Sequence, residues 1–119
     1  MRLAWLLAAL VLASLVAYIQ YVALEYWLYW TYTWLDTFVH FLGGLTVAVF
    51  GVALLDKRRA LVFLGAMFGI AIGWELFELG INAQREANFA FDTSLDLLMD
   101  ALGMTLGYTA ARFTIWRSA

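Results

Sequence analysis

The stretch Asp92-Thr-Ser-Leu-Asp96-Leu-Leu-Met-Asp100-Ala-Leu-Gly103 opens the last apolar segment of the chain and spaces three aspartates four residues apart. On a helix this interval puts all three side chains on one face, within about 40° of their nearest neighbour and over roughly 12 Å of axis. Carboxylates this far into an apolar helix are energetically costly, so other groups must compensate them. The remainder of the sequence indicates which groups these are.

The composition is typical of a membrane protein. Of the 119 residues, 66% are apolar and 13% are charged, and there is neither proline nor cysteine. This predicts an all-α polytopic membrane protein with a single transmembrane domain over residues 1–119. The lack of cysteine excludes disulfides and thiolate metal ligands. No basic run indicates binding to nucleic acid.

Four apolar segments predict a four-transmembrane-helix bundle in the lipid bilayer, with helices at about residues 3–24, 34–55, 60–82 and 92–115. Each segment has about 22 residues, which suits a hydrocarbon core of ~30 Å. In a bilayer they must be helical, because an open strand would leave its backbone groups without hydrogen bonds.

The basic residues predict the orientation. The basic cluster Lys57-Arg58-Arg59 joins the second and third segments, and placing it in the cytoplasm makes both termini cytoplasmic. Six of the seven basic residues then lie inside, with Arg85 as the exception, which is a strong positive-inside pattern. A multi-pass protein of the cell inner membrane is predicted. Seven of the nine acidic residues and the single histidine then fall in the outer half of the bilayer.

The stretch between the first two segments, residues 26–34, is rich in tryptophan and tyrosine. It is predicted to form an aromatic belt at the outer interface. The alternative is that some of these rings line the mouth of a substrate site.

Two of the predicted helices carry matching faces, polar near the outside and small further in. Asp36, His40, Gly43 and Gly44 share a face of the second segment, and the aspartates and Gly103 share a face of the fourth. Because small residues let helix backbones approach closely in lipid, we expect these two faces to pack together. On the first segment, four residues line up and are expected to close the polar cluster: Ser14, Tyr18, Tyr21 and Glu25.

The acidic cluster predicts a metal site of one or two divalent ions. Paired ligands on one helical face, supplied by several helices of a bundle, are how carboxylate-bridged metal sites are built. An oxygen-rich set with one nitrogen and no sulfur favours Mg, Mn, Fe or Zn. The candidate ligands are Asp36, His40, Glu75, Glu78, Asp92, Asp96 and Asp100. The alternatives are that Asp36 and Asp92 only cap helices, that His40 is an ordinary hydrogen-bonded polar residue, or that most carboxylates are protonated.

Three motifs together resemble the YjdF-type family of small bacterial inner-membrane proteins. They are Asp36-x3-His40-Phe-x-Gly43, Glu75-x2-Glu78 and Asp92-Thr-x2-Asp96, with Gly103 following, and they span roughly residues 34–107. That family has further membrane segments before the first motif, where this chain has one. A weaker similarity is to VanZ-like membrane proteins. The resemblance implies a multi-pass membrane location and supports the site, and it implies no activity.

Three functions are compatible with these features. The first is a metal-dependent enzyme acting on a lipid or lipid-linked substrate, with Glu78 or Asp100 as the general base. The second is a cation transporter, a proton-coupled transporter or a channel. The third is a structural or partner-binding subunit, with a homodimer through the face of Gly65, Gly69 and Gly73 as the predicted contact.

Overall fold

The computed structural model describes residues 2–55, 60–80 and 89–117, except for the side chains of residues 60, 78, 79 and 89–92. Its regular elements are helices: α1 (Leu3–Glu25), α2 (Leu28–Thr31), α3 (Trp34–Leu54), α4 (Ala60–Gly80) and α5 (Phe89–Arg112). No strand occurs within these ranges, so the predicted all-α class is confirmed. The basic cluster 57–59 and Arg85 lie outside the described residues.

Two of these helices, α1 and α3, are long and apolar enough to cross a bilayer. The apolar stretch of α4, Leu61–Phe77, is shorter and includes Glu75. Two candidate membrane-spanning helices are therefore consistent with a membrane protein. The four spans and the cytoplasmic termini remain predictions.

The most extensive helix contact joins α3 and α5. Glycine makes it possible: a Cβ atom added at Gly44 would collide with the backbone of Asp100, and one added at Gly103 would collide with the carbonyl oxygen of Phe41. The two backbones thus touch at levels where only glycine leaves room. The predicted packing of these two faces is confirmed.

Arg2 connects three chain segments at the end of the molecule far from the aspartates. Its backbone N–H donates to the carbonyl oxygen of Ala53 at 3.0 Å, and its guanidinium donates to those of Val52 and Leu55, each at 2.7 Å. The carbonyls of Val52 and Ala53 lie in the last turn of α3 and that of Leu55 follows it, so none of them has a partner within the helix. The guanidinium also lies 5.5 Å from the ring centroid of Trp116. The beginning of α1, the end of α3 and the segment after α5 therefore meet.

Helix α4 joins the bundle through three buried residues, Phe63, Met67 and Ala71, of which Phe63 is fully buried. Its ring lies 5.8 Å from that of Tyr108 and 6.2 Å from that of Trp116, centroid to centroid. Beyond this cluster α4 contacts α3 and α5 only lightly. A cavity lined by residues of both helices lies between α4 and α1.

Candidate metal centre

His40 lies at the centre of the polar cluster, with a carboxylate near each ring nitrogen. Its Nε2 atom is 3.4 Å from Oδ2 of Asp96 and 3.7 Å from Oδ1 of Asp36. Its Nδ1 atom is 3.2 Å from Oδ1 of Asp100. The two sides of the ring thus face different acids.

Simple helical spacing produces this arrangement. Asp36 and His40 are four residues apart on α3, and Asp96 and Asp100 are four residues apart on α5, so each pair shares a helix face. The close contact at Gly44 then brings the α5 backbone against α3 at the level of Asp100. As a result the imidazole of His40 lies between the two aspartates of the neighbouring helix.

The cluster runs from the surface into the interior. The side chain of Asp36 is 42% exposed, whereas Asp96 and Asp100 are 4% and 8% exposed as whole residues. Burying carboxylates is strongly unfavourable unless opposite charge and hydrogen bonds compensate them. A single imidazole can carry at most one positive charge, so three nearby carboxylates exceed what His40 alone can balance.

Two overlapping groups of side chains have their ligand atoms close enough to hold a metal ion. The first is Asp36, His40 and Asp96, and the second is His40, Glu75 and Asp100. Within each group the ligand atoms lie within 4.8 Å of one another. Carboxylate oxygens with one imidazole nitrogen are donors that Mg, Mn, Fe and Zn accept.

The structure brings together five of the seven ligands that the sequence predicts. Glu75 reaches the cluster from α4, so three helices contribute. Glu78 and Asp92 belong to α4 and α5, but their side chains lie outside the described residues. Their predicted roles as ligands, and that of Glu78 as a general base, stay predictions.

The face of α1 that was expected to close the cluster points away from it. Tyr18 and Tyr21 are about two-thirds exposed, and the hydroxyl of Ser14 donates to the carbonyl oxygen of Leu10 in its own helix, at 2.8 Å. Glu25 is also exposed. That expectation was wrong, because a hydroxyl satisfied within its own helix gives no information about packing.

A different face of α1 approaches the cluster, and the sequence analysis missed it. Ala13, Val16, Ala17 and Gln20 line the cavity beside His40. Tyr29 donates a hydrogen bond to the side-chain oxygen of Gln20. The four residues of α1 follow one another at intervals of three, four and seven positions from Ala13, so they share one helix face. That face is small and apolar and ends at the amide of Gln20. Because α1 is apolar on nearly every face, this face does not stand out in the sequence.

No protein-family model, curated protein or solved structure matches this chain. The resemblance to the YjdF-type family therefore stays a prediction from three motifs. The function must be inferred from the geometry of the site.

Proposed function

We propose that this chain is a multi-pass inner-membrane protein that holds a divalent metal ion between α3 and α5 and uses it to catalyse a reaction on a lipid or lipid-linked substrate. The observation that carries the proposal is the position of His40. Its Nε2 atom faces Asp36 of α3 and Asp96 of α5, and its Nδ1 atom faces Asp100 of α5. An oxygen-rich site with an imidazole inside an apolar bundle is suited to a bound cation.

The exposure of the helices supports the membrane location. Of the residues in α1, only Ala9 and Ala23 are buried, and large apolar side chains such as Leu7 and Val11 are more than half exposed. Helix α4 likewise exposes Leu61 and Phe77. Apolar surface this extensive is unfavourable in water and favourable in hydrocarbon. The exposed apolar surface therefore supports a bundle of four membrane-spanning helices over a soluble helical bundle.

The contact between Arg2 and Trp116 supports cytoplasmic termini. It brings the beginning of α1 and the segment after α5 to one end of the molecule. The positive-inside pattern assigns that end to the cytoplasm. The aspartate and histidine cluster, at the other end of α3, then belongs to the outer half of the bilayer.

We assign the ion to the Nε2 side of His40. The distances from Nε2 to Asp96 and Asp36 are 3.4 and 3.7 Å. Two ligand atoms of a tetrahedral site with metal bonds of 2.0–2.1 Å are roughly 3.3–3.4 Å apart. These gaps therefore need little closure around an ion.

Asp100 then has a supporting role. Its distance of 3.2 Å from Nδ1 is that of a hydrogen bond, and an ionised carboxylate only accepts, so Nδ1 carries the proton. A neutral imidazole with its proton on Nδ1 presents its lone pair at Nε2. Asp100 is thus a positioning residue for His40 in this proposal, whereas the sequence analysis made it a ligand or general base. Glu75 belongs to the second group, which shares His40 and Asp100 with this arrangement and so holds no second ion while Nδ1 carries its proton.

The chemistry follows from the location of the site. A bound ion would supply a Lewis acid for a phosphoryl or carbonyl oxygen, or would lower the pKa of a bound water. Asp96 and His40 hold the ion from the buried side, while the partly exposed Asp36 borders the cavity through which a substrate would arrive. Glu78 remains the predicted general base.

The interior below the cluster argues against the transporter alternative. In the described part of α3 and α5, the interface continues from Gly44 and Gly103, where the backbones touch, to the buried residues Ala48 and Val52. A hydrated path for an ion or proton needs polar groups along its length. The described interface offers no such sequence of groups toward the opposite end.

Elemental analysis of the purified protein tests the metal. We expect about one divalent ion per chain in the wild type and loss of that ion in Asp96→Asn and His40→Ala. Glu25→Gln is the matched control, because it also removes a negative charge but lies at the exposed end of α1. Metal-free wild-type protein, or equal metal in all four proteins, would contradict the proposal.

A second measurement tests the reaction. Metal-loaded protein is incubated with a total polar lipid extract, and the lipids are compared by mass spectrometry with those treated with Asp96→Asn. We expect one lipid class to be consumed only by the wild type. In proteoliposomes, cation or proton uptake that Asp96→Asn abolishes, with unchanged lipids, would instead establish the transporter.

A further inference from the structure

A half-open cavity of about 440 Å³ lies directly beside the cluster. Ala13 and Ala17 of α1 form one wall, Ile70 and Trp74 of α4 form the other, and α3 forms the floor with residues 36–47. These residues of α3 extend over about 16 Å of helix axis. The cavity is therefore long enough to follow α3 from the surface into the apolar part of the bundle.

The cavity is polar at one end and apolar along the rest. Asp36 and His40 lie at the same end as Gln20, because α1 and α3 run in opposite directions. Away from that end the lining includes Val47 and Met104, and the hydroxyl of Thr46 there donates to the carbonyl oxygen of Leu42 in its own helix. A largely apolar pocket with a few convergent polar groups is the usual form of a ligand site.

Small residues keep this space open. A Cβ atom added at Gly43 would meet nothing within 4 Å, and Gly43 lines the cavity. Ala13, Ala17 and Ala71 contribute only methyl groups to the walls. In a close-packed bundle a gap of this size beside a polar cluster loses dispersion contacts unless something fills it.

We propose that the cavity holds the hydrocarbon chain of a single long-chain amphiphile whose oxyanion head group reaches the metal ion at His40. The inference rests on the proposed function, because without an ion the three aspartates would repel an anionic head. With the ion in place, a carboxylate or phosphate oxygen is complementary in charge and donor type. The apolar walls accept an acyl chain or a prenyl chain equally, since neither kind of chain forms hydrogen bonds.

Photolabelling tests the inference. The probe is a long-chain fatty acid with a diazirine in the middle of its chain, added to the metal-loaded protein in detergent. After illumination, peptide mapping should locate the label on α1 near Ala17 and on α4 near Ile70. Gly43→Leu and Ala17→Phe, which fill the cavity from two different helices, should each lose this label. Gly69→Leu, on the opposite face of α4, should keep it.

The metal content of the same samples separates this inference from the proposed function. Gly43→Leu and Ala17→Phe alter no proposed ligand, so they should keep the metal. Metal in every sample together with equal labelling in Gly43→Leu, Ala17→Phe and wild type would overturn the chain-binding inference and leave the metal site standing. Full labelling in metal-free Asp96→Asn would overturn the role of the head group. Metal-free wild type would instead refute the proposed function.

Discussion

Nδ1 of His40 lies 3.2 Å from Oδ1 of Asp100, at the ring nitrogen that does not face Asp36 and Asp96. This contact assigns different tasks to three aspartates that the sequence presents as equivalent. In the proposed site Asp100 orients the ring and accepts the proton of Nδ1, while Asp36 and Asp96 face Nε2, the nitrogen that would bind the ion. The central claim is that the ion binds on the Nε2 side.

Substitution of Asp100 should weaken the metal site without abolishing it. Loss of an acid that orients a metal-binding histidine typically lowers metal affinity by about 10- to 100-fold. We therefore expect Asp100→Asn to bind the ion in full at saturating metal, with that reduction in affinity measured by calorimetric titration. Asp96→Asn, which removes a direct ligand, should bind no ion. Equal loss in the two variants would make Asp100 a ligand.

The contact between α3 and α5 predicts contrasting effects for two adjacent glycines. Gly44→Ala should destabilise the protein by about 1–3 kcal/mol, because the new methyl group would overlap the backbone of Asp100. The same change should reduce the metal content, because the overlap displaces Asp100 from His40. Gly43→Ala adds an identical methyl group with no atom within 4 Å.

Thermal unfolding in detergent measures the difference between these glycine variants. Gly43→Ala should unfold at the wild-type temperature with its metal bound. If both variants unfold together, the close approach of the two helices is not what supports the site.

Arg2 should stabilise the end of the bundle opposite the cluster. Arg2→Lys keeps the charge but replaces the planar guanidinium by an ammonium group. The ammonium cannot reproduce both hydrogen bonds to the carbonyls of Val52 and Leu55 or the stacking on Trp116. We expect a loss of about 1–2 kcal/mol from the two hydrogen bonds, measured by chemical unfolding. Arg117→Lys, at an exposed position, is the control and should change little.

Phe63 should control how firmly α4 is held. Phe63→Ala removes a fully buried ring that packs on Tyr108 and Trp116, and a change of this kind costs about 3 kcal/mol. Because α4 brings Glu75 to the cluster and lines the cavity beside His40, looser packing of α4 should also lower the affinity for the ion. Phe68→Ala, which removes a ring that is 46% exposed, should leave both stability and metal binding near wild type.

The sequence was sufficient to predict the contact between α3 and α5. Glycines that share a helix face with acidic residues identify the face that approaches another helix backbone. This pattern can be recognised even where most of the remaining residues are apolar. For the same reason the positions of His40, Asp96 and Asp100 in one cluster could be predicted. Which ring nitrogen each acid faces depends on side-chain rotamers, and spacing along a helix does not determine these.

The orientation of α1 could not be predicted by the same logic. Its side chains are apolar on nearly every face, so no polarity difference indicates which side contacts α3. Its few polar residues do not mark the contact face, since Ser14 bonds within the helix and the tyrosines face outward. The short helix α2, inside the aromatic stretch, also has no signal in the sequence beyond its amphipathic rings.

The most direct test is an X-ray structure with data collected at the absorption edge of the metal that copurifies with the protein. The proposal predicts an anomalous peak about 2.0–2.2 Å from Nε2 of His40, within bonding distance of carboxylate oxygens of Asp36 and Asp96. Asp100 should remain hydrogen-bonded to Nδ1. A peak bonded to Nδ1, a peak away from His40, or no peak in protein shown to contain the metal would contradict it.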